Sequence, residues 1–371
     1  MIQKNKNMED RKTFIFWSNM LCLLHSSFLR NLGYSQNVIL VAETDLSEEG
    51  INQYCFHVPD YGNVKTIVAP NDKQIDELLN KKNAIHIFWG VQSFKMPDKV
   101  FRLAVSRKLF IGIFSEPYNW LGLKGKWRWI KYLIFRIRYG KYIRFILTTG
   151  ERGRWCFESA GFKRNIIYDW GYFTETPDIS IQQKQDNDIR LLFIGQICER
   201  KNILSLVSIC KELNVIDNLQ IVGSGHLEKD LLQAINNTKC KYLGKVPNQN
   251  ISKIIVDSDV LILPSIHDGW GAVVNEALMC GVPVVVSNRC GASILINDIR
   301  GRVFSIEKNN LKDVLQNYIT RLPYDINKRE KIRDWAMQSI TGQVVSQYFV
   351  KIMEHVLHNS LPKPVAPWLH N

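Results

Sequence analysis

The sequence predicts an α/β protein made of two Rossmann-like, doubly wound domains, and three observations lead to this prediction. Short apolar runs alternate with longer mixed segments in the first half of the chain, and after a polar stretch the same alternation begins again. The chain has 371 residues, which exceeds what one hydrophobic core usually holds and suits two domains. Alternating strands and helices are typical of parallel sheets covered by helices on both faces.

The first half is predicted to contain six strands, each a short run with few charges, as suits a strand buried on both faces of its sheet. They lie at 13–16, 37–42, 66–68, 84–88, 109–114 and 145–148. Helices are predicted between them at 20–32, 74–81 and 98–106. We assign 1–177 to this N-terminal domain and 178–188, which is polar and aperiodic, to a linker.

The second half gives a clearer strand and helix series, and we assign 189–342 to a C-terminal domain. Strands are predicted at 190–194, 219–222, 241–243, 260–263 and 283–287. Helices are predicted at 202–213, 227–236, 248–258 and 271–280. Pro264 stops the fourth of these strands, because proline cannot donate to a sheet. The tail is predicted to be helical, with the segment at about 343–371 packing back on the first domain.

The charge of the chain predicts a polyanionic partner. It carries 48 Lys+Arg against 35 Asp+Glu, a formal net charge of +13, which favours nucleic acid, an anionic membrane surface or phosphorylated substrates. No apolar run reaches the ~18 residues of a membrane-spanning helix. The apolar run at 14–17 is followed by Ser18 and Asn19, and no small-residue cleavage site follows, so we do not expect a signal peptide. We expect a cytoplasmic protein attached peripherally to the membrane.

The cysteines are expected to be reduced thiols in packed surroundings. There are eight, without a Cys-x-x-Cys pair, and several lie inside apolar runs. Buried thiols of a cytosolic enzyme explain this pattern better than disulfides or zinc. They are Cys22, Cys55, Cys156, Cys198, Cys210, Cys240, Cys280 and Cys290.

The segment 265–278 carries the strongest chemical signal. A strand ends at Pro264, a loop with Gly269 and Gly271 follows, and a helix is predicted to begin near Gly271. The first amides of a helix lack intrahelical partners and carry the positive end of its dipole, so they suit a diphosphate. Asp268 and Glu276 flank this helix start and can accept hydrogen bonds from sugar hydroxyls. The alternative is an N-cap aspartate and a solvated glutamate, although the apolar residues around Glu276 argue against it.

Five segments together resemble the family-4 retaining glycosyltransferases of GT-B fold. Asp268 to Glu276, followed by Gly281-Val282-Pro283-Val284, resembles the family's Glu-x7-Glu and Gly-x-Pro-Val signature, with aspartate in place of the first glutamate. The others, in family order, are 193–202 (Gly-Arg-x4-Lys-Gly), 221–225 (Val-Gly-x-Gly) and 259–265 (Asp-Val-x-x-x-Pro-Ser). The resemblance covers about 190–300. It implies two domains that face each other across a cleft, with the nucleotide-sugar donor held by the second.

The resemblance also implies roles for single residues. Glu276 would bind the donor ribose, Asp268 the transferred sugar, and Lys201 the diphosphate. Gln196 stands where the family has an arginine, and Arg200 is the candidate to replace that charge; alternatively, Arg200 and Lys201 merely solvate a helix start. The implied donor-binding set is Gly195, Gln196, Arg200, Lys201, Gly223, Gly225, Lys245, Val246, Asp268, Gly269, Trp270, Gly271, Ala272, Val273 and Glu276.

No cofactor and no metal are expected, because two cations and a helix N-terminus can stabilise a leaving diphosphate. Asp257-Ser258-Asp259 spells the Asp-x-Asp motif that metal-dependent glycosyltransferases of another fold use. Here it falls between a helix and a buried strand, which favours a structural role.

The acceptor is assigned to the N-terminal domain. Glu116 follows a buried strand, where open α/β sheets bind ligands, and is a catalytic candidate together with Asp268, Glu276 and Lys201. Trp17, Asn19 and His86 lie at or near strand ends and are acceptor candidates, although a core position explains His86 better.

A basic aromatic segment at 124–144 predicts a helix that lies on an anionic bilayer. No acid occurs between Glu116 and Glu151, and Trp127, Ile130, Leu133, Ile134 and Ile137 fall at helical spacing. A solvated basic face over the core is the alternative, and no nucleic-acid-binding motif accompanies the charge. The predicted membrane residues are Lys124, Lys126, Trp127, Arg128, Trp129, Lys131, Arg136, Arg138, Lys141 and Arg144.

The function that follows is retaining transfer of a hexosyl group from a nucleotide diphosphate sugar to a hydroxyl of a glycan acceptor. The basic domain favours a lipid-linked acceptor, as in surface-polysaccharide assembly. A sugar-nucleotide epimerase of the same fold and a non-catalytic, membrane-associated nucleotide-sugar-binding protein stay open as alternatives. A nicotinamide-dependent dehydrogenase is disfavoured, because Gly223-Ser224-Gly225 is not followed by the third glycine of Gly-x-Gly-x-x-Gly.

Overall fold

The computed structural model describes residues 12–45, 59–182, 186, 188–358 and 360–370. These residues form two compact units. The first takes the described residues up to Phe173 together with 342–366, and the second takes 174–341 together with those from Pro367 onwards. The predicted linker at 178–188 is described in part, and Cys55 lies outside the described residues.

The described part of the first unit is built on a seven-stranded parallel sheet with the order β3-β2-β1-β4-β5-β6-β7. The chain reverses its direction of travel across the sheet between β1 and β4, which are neighbours with Ile15 opposite His86. The strands are β1 Thr13–Met20, β2 Asn37–Thr44, β3 Lys65–Val68, β4 Ala84–Trp89, β5 Ile111–Ser115, β6 Ile143–Thr149 and β7 Ile167–Trp170.

Helices cover both faces of this sheet. They are α1 Leu23–Ser35, α2 Asp72–Leu79, α3 Lys95–Ser106, α4 Gly122–Tyr139, α5 Gly150–Ser159 and, from the end of the chain, α12 Gly342–Leu357. On one face Trp17, Phe88 and Phe101 lie in a continuous apolar core with α2 to α5. On the other face α12 packs on α1, and the Phe349 ring lies 5.3 Å from that of Phe14 and 5.4 Å from that of Phe28.

The described part of the second unit has a six-stranded parallel sheet with the order β10-β9-β8-β11-β12-β13. Its strands are β8 Leu191–Ile194, β9 Leu219–Val222, β10 Lys241–Tyr242, β11 Val260–Leu263, β12 Val284–Ser287 and β13 Gly301–Phe304. The helices are α6 Ile203–Glu212, α7 Glu228–Ile235, α8 Asn248–Val256, α9 Val273–Met279, α10 Leu311–Ile319 and α11 Ile326–Ser339. The direction of travel reverses between β8 and β11, which is where open α/β sheets bind ligands.

Several elements differ from the prediction. The strands β7 and β13 were not predicted because each is a short edge strand containing a charge, Asp169 paired with Arg154 and Arg302 paired with Asp298. The helix predicted to begin near Gly271 begins at Val273, since Gly271 has a φ of +89°. The C-terminal helix ends at Leu357 and not near 371, and the described residues between it and Pro367, which include prolines, are not helical.

Candidate functional site

The candidate donor site lies where β8 and β11 end, at the reversal point of the second sheet. Lys201 belongs to a short 3-10 turn after β8, and Asp268 belongs to the loop after β11. Because the carboxyl ends of adjacent parallel strands share one edge of the sheet, the two side chains meet although 67 residues separate them. The Ile266 amide donates to the Arg200 carbonyl at 2.8 Å, which joins the two loops through their backbones.

A buried ion pair stands at the centre of this site. Lys201 Nζ lies 2.5 Å from Asp268 Oδ2, and Arg200 Nη1 lies 3.8 Å from the same oxygen. Burial acts to raise the pKa of Asp268, but the ammonium of Lys201 and the guanidinium of Arg200 outweigh it and hold that pKa below its ordinary value. The Arg200 guanidinium also donates to the His267 carbonyl at 3.3 Å. Both cations predicted from the sequence are therefore directed to one point.

The loop 268–272 is held rigidly by its own contacts and by the segment after β12. Trp270 is buried, and its Nε1 donates to Asn275 Oδ1 at 2.9 Å. Its carbonyl accepts from Cys290 Sγ at 2.7 Å and from the Ala292 amide at 2.8 Å. Trp270 therefore anchors the loop, with its indole in the core.

The supporting segment 289–292 was not predicted to belong to the site. The Asp268 amide donates to the Arg289 carbonyl, and the Gly291 amide donates to the Asp268 carbonyl. A Cβ on Gly291 would lie 2.3 Å from the Gly269 carbonyl oxygen, so this position requires glycine. The segment 289–292 is about 20 residues from the loop 268–272 in sequence, so no local pattern predicts their contact. The one available indication is the Cys290-Gly291 pair, which follows a buried strand.

The start of α9 offers open donors beside these charges. The backbone amides of Gly271, Ala272 and Val273 donate to no acceptor among the described residues, and no side chain caps the helix. Ala272 and Val273 are half-buried, whereas Gly271 is buried. Gly271 is required here because of its positive φ, and a Cβ would lie 2.6 Å from Cys290 Sγ.

Glu276, in the first turn of α9, is a half-buried carboxyl group. Its side chain has no hydrogen-bond or ion-pair partner within the part of the chain that the structure describes. Burial raises its pKa to about 7. A carboxylate kept in such surroundings without a protein partner is free to bind a ligand, and the cost of holding it there is expected at a functional position.

Three glycine turns close the other side of the site at the ends of β8, β9 and β10. The Gly195 amide donates to the Val222 carbonyl at 3.0 Å, and the Gly223 amide donates to the Gly244 carbonyl at 2.8 Å. A Cβ on Gly225 would lie 2.2 Å from the Ile197 carbonyl oxygen, so the first two turns interlock. Gln196 lies in the first turn, while Lys245, which is exposed, and Val246 follow β10. Three strand spacings of ~4.8 Å separate β10 from β11, so these strands end ~15 Å apart, a span that suits a nucleoside diphosphate.

The Asp-x-Asp sequence has a structural role. Asp259 is buried and its Oδ2 accepts from the Arg190 amide at 2.8 Å, while the Asp257 carbonyl accepts from the Arg190 side chain at 3.3 Å. In the described part of the chain, His, Cys, Asp and Glu side chains form no group of three or more that could hold a metal ion.

The first unit contains a pocket of about 840 Å³ at the carboxyl ends of β1, β4 and β5. Asn19 and Glu116, two of the predicted acceptor residues, line it. His25, which was not predicted, also lines it and stacks on Trp89 with ring centroids 3.9 Å apart. Burial lowers the pKa of His25 to about 3, so its imidazole is neutral at physiological pH. Phe114 and Tyr172 complete an aromatic wall.

Trp17 and His86 do not belong to this pocket, and their assignment to the acceptor site is wrong. Both are buried, with 0% and 1% of their surface exposed, and Trp17 Nε1 donates to His86 Nδ1 at 3.2 Å. Both side chains lie on the face of β1 and β4 that α2 to α5 cover. A neighbouring residue on β1 points to the opposite face, since side chains alternate along a strand.

Helix α4 presents an exposed apolar stripe with cations on both flanks. The stripe is spaced by four and three residues, and its members are 37% to 77% exposed. They are Leu123, Trp127, Ile130, Ile134 and Ile137. Leu133 is half-buried and lies outside the stripe, contrary to the prediction.

Apart from Trp127, which belongs to the stripe, the predicted membrane residues divide into three groups. Lys124, Lys126, Lys131 and Arg138 are exposed on α4. In contrast, Arg128, Trp129 and Arg136 donate to the carbonyls of Asn119, Ser159 and Gly161 and so hold α4 to its own unit. Lys141 and Arg144 lie beyond the end of α4, with Arg144 in β6. Among the helices that the structure describes, none combines the length and apolarity needed to cross a bilayer.

Comparison with known proteins identifies a family for the second half of the chain and relatives in polysaccharide biosynthesis. Residues 175–338 match the family model "Glycosyl transferases group 1". An uncharacterized 41.2 kDa protein in the cps region of Klebsiella pneumoniae is 21% identical over 74% of this chain and 79% of its own length. The O-antigen chain mannosyltransferase B of Escherichia coli is 25% identical over 42% of this chain and 45% of its own length. Alignments with several of the curated relatives thus span about half of those proteins.

Two solved structures cover nearly the whole chain. The Anabaena protein Alr3699/HepE in complex with UDP aligns with a TM-score of 0.67 at 13% identity, over 94% of this chain and 100% of its own. The lipopolysaccharide outer core galactosyltransferase WaaB, in its apo form, aligns with a TM-score of 0.64 at 13% identity over the same shares. As the sequence motifs predicted, residues 175–338 carry a glycosyl transferases group 1 domain, and the chain has a GT-B fold.

Proposed function

We propose that the protein is a retaining glycosyltransferase that moves a hexosyl group from a nucleotide diphosphate sugar to a hydroxyl of a glycan acceptor, without a metal. The observation that carries the proposal is the carboxyl group of Glu276, which has no partner among the described residues and lies beside the amides at the start of α9 and the Lys201–Asp268 pair. This set offers acceptors for ribose hydroxyls, donors and cations for a diphosphate, and a second carboxylate for a sugar.

Each group has a separate part in the proposed reaction. Glu276 accepts hydrogen bonds from the ribose, and Lys201 and Arg200 neutralise the diphosphate as it leaves. The amides of Gly271 to Val273 donate to the distal phosphate, where negative charge grows as the glycosidic bond breaks. The glycine turns that end β8, β9 and β10 leave room for the base. Because the cations and amides are fixed before the donor binds, little reorganisation is needed during the reaction.

The acceptor is proposed to bind in the pocket of the first unit. The aromatic wall of His25, Trp89 and Tyr172 offers apolar faces to a sugar ring, and Asn19 and Glu116 offer polar groups at the strand ends. Glu116 is exposed and lies at the carboxyl end of the sheet, where it can orient the acceptor hydroxyl.

Surface-polysaccharide assembly is the proposed setting. Relatives come from a capsule region and from O-antigen synthesis, and one is named a galactosyltransferase acting on a diphosphoundecaprenol-linked sugar. Solved neighbours hold UDP or UDP and glucose. We therefore propose a nucleotide-sugar donor and a lipid-linked glycan acceptor at the cytoplasmic face of the membrane.

A panel of sugar nucleotides tests the donor proposal. A cognate donor is expected to raise the unfolding temperature, because a ligand at 100 times its Kd stabilises the native state by about 2.7 kcal/mol. Lys201→Ala should lose this shift, whereas Lys211→Ala, an exposed lysine on α6, should keep it. Product analysis with and without glycan acceptors then separates transfer from epimerisation. A donor that is epimerised without any acceptor, with its sugar never transferred, would contradict the proposal.

Membrane association rests on α4, and a liposome assay tests it. The triple replacement of Lys124, Lys126 and Arg138 by glutamine should weaken partitioning onto anionic vesicles about 100-fold, since each cation near such a surface contributes about 1 kcal/mol. A matched control replaces the exposed Lys229, Lys239 and Lys253 of the second unit, which changes the net charge equally. Trp127→Ser with Ile137→Ser should also release the protein. Equal loss in the control triple, or unchanged binding in both α4 variants, would exclude α4 as the contact surface.

A further inference from the structure

Helix α4 forms part of the wall of the pocket in the first unit. Arg128, Lys131, Tyr132 and Ile134 all line this pocket. Ile134 also belongs to the exposed apolar stripe, with 54% of its surface accessible. The boundary between the stripe and the pocket therefore runs along one flank of α4, at Ile134 and Lys131.

The cations of the pocket differ in their partners. Arg102 pairs with Asp98 at 2.8 Å, and Arg128 Nη1 donates to the Asn119 carbonyl at 3.0 Å. Lys131 is exposed, and its ammonium has no hydrogen bond or ion pair to another residue of the described chain. Lys131 is thus the cation of this wall that is left for a ligand. It occupies the boundary between the apolar stripe and the polar pocket.

We propose that the pocket recognises an acceptor glycan joined to its lipid through a phosphate or diphosphate, and that Lys131 binds this linking group. The proposal rests on the proposed function and names the acceptor class of that site. A lipid embedded beside the stripe would place its headgroup at the level of Lys131, because cations that flank an interfacial helix lie at headgroup depth. The sugar beyond the phosphate would then reach the aromatic wall of His25, Trp89 and Tyr172.

A vesicle-free titration of the full chain tests the linking-group site. The probes are citronellyl diphosphate, citronellol and inorganic diphosphate, and the readouts are the δ1-methyl signals of Ile134, in the pocket, and of Ile266, in the donor loop. Citronellyl diphosphate is expected to move the Ile134 signal with an affinity at least ten times that of either other probe. Lys131→Gln should weaken this binding about tenfold, because it removes one charge-assisted contact. Lys124→Gln, on the same helix but outside the pocket wall, should change it less than twofold.

The outcomes separate this inference from the donor assignment. If citronellol binds with the same affinity as citronellyl diphosphate, the phosphate site is wrong. Equal losses of affinity in the Lys131 and Lys124 variants would also overturn it. If every diphosphate moves Ile266 and leaves Ile134 unchanged, the donor site stands and the acceptor class is wrong. If Ile134 responds as expected while no sugar nucleotide stabilises the protein, the linking-group site stands and the donor proposal fails.

Discussion

Replacing Glu276 by glutamine is expected to abolish sugar transfer and at the same time to stabilise the folded protein above neutral pH. The carboxylate would accept hydrogen bonds from the ribose, and charged acceptors contribute about 1.5–3 kcal/mol each. Losing them should lower kcat/KM by about 100-fold or more. Glu212→Gln, at an exposed position on α6, is the matched control and should leave activity unchanged.

The stability effect follows from the pKa of Glu276, which burial raises to about 7. Between the ordinary pKa of glutamate and pH 7, the folded protein keeps a proton that the unfolded chain has released, so stability falls as pH rises through this interval. Glutamine has no such proton. The variant should therefore match the wild type near pH 4 and exceed it at pH 8, by at most about 3 kcal/mol.

Thermal or urea unfolding from pH 4 to pH 8 measures this difference. The same linkage predicts that the donor binds more tightly as pH rises through 7, because the carboxylate is the better hydrogen-bond acceptor. A wild-type protein and a Glu276→Gln variant with parallel stability curves would show that Glu276 is not held in a desolvated site. A variant that transfers sugar with the kcat/KM of the wild type would remove Glu276 from the donor site.

Replacing Lys201 by methionine is expected to abolish transfer and also to destabilise the second unit, by about 3 kcal/mol. Removing one partner of a buried ion pair leaves the other charge without compensation, and Lys201 and Asp268 side chains are only 13% and 10% exposed. Arg200, at 3.8 Å, compensates in part. Lys211→Met should lower stability by less than 0.5 kcal/mol, as is usual for an exposed position.

A double-mutant cycle separates structure from chemistry at this pair. Lys201→Met with Asp268→Asn should recover most of the lost stability, because no unpaired charge remains, and should still not transfer sugar. The lowered pKa of Asp268 contributes stability above its ordinary pKa, and that contribution is lost as the pH falls through the folded value. The defect of Lys201→Met should therefore be large at pH 7 and shrink in acid. Independent, additive losses across the cycle would show that the two side chains do not interact.

The structure brings the predicted donor residues Lys201 and Asp268 together, whereas it places only some of the predicted acceptor residues at one pocket. Lys201, Asp268, Gly271 and Glu276 lie in short motifs in which spacing and strand ends decide the geometry, so adjacent residues carry the signal. His25 and Trp89 come from different elements and become neighbours through a stack of buried rings. No local pattern announces such a contact. Trp17 was assigned to the acceptor site for the same reason: a strand has two faces, and a short apolar run does not show which of them borders a pocket. For His86 the core position favoured from the sequence is the one observed.

The structure also changed the interpretation of the basic segment. Sequence spacing predicted its apolar stripe, yet Arg128, Trp129 and Arg136 donate hydrogen bonds to carbonyls of their own unit. Arg102 pairs with Asp98, so among the described residues that line the pocket Lys131 is the cation without a protein partner. A charge count cannot distinguish a cation held by the fold from one facing outwards.

By itself, the sequence determined the α/β class, the two domains, the glycosyltransferase motifs and the presence of an amphipathic basic helix. These properties depend on periodicity and on residues that are neighbours along the chain. The tertiary structure decided that Lys201 meets Asp268, that the 289–292 segment holds the donor loop, and that α4 borders the pocket of the first unit. Such contacts join residues tens of positions apart, and strand order and packing fix them.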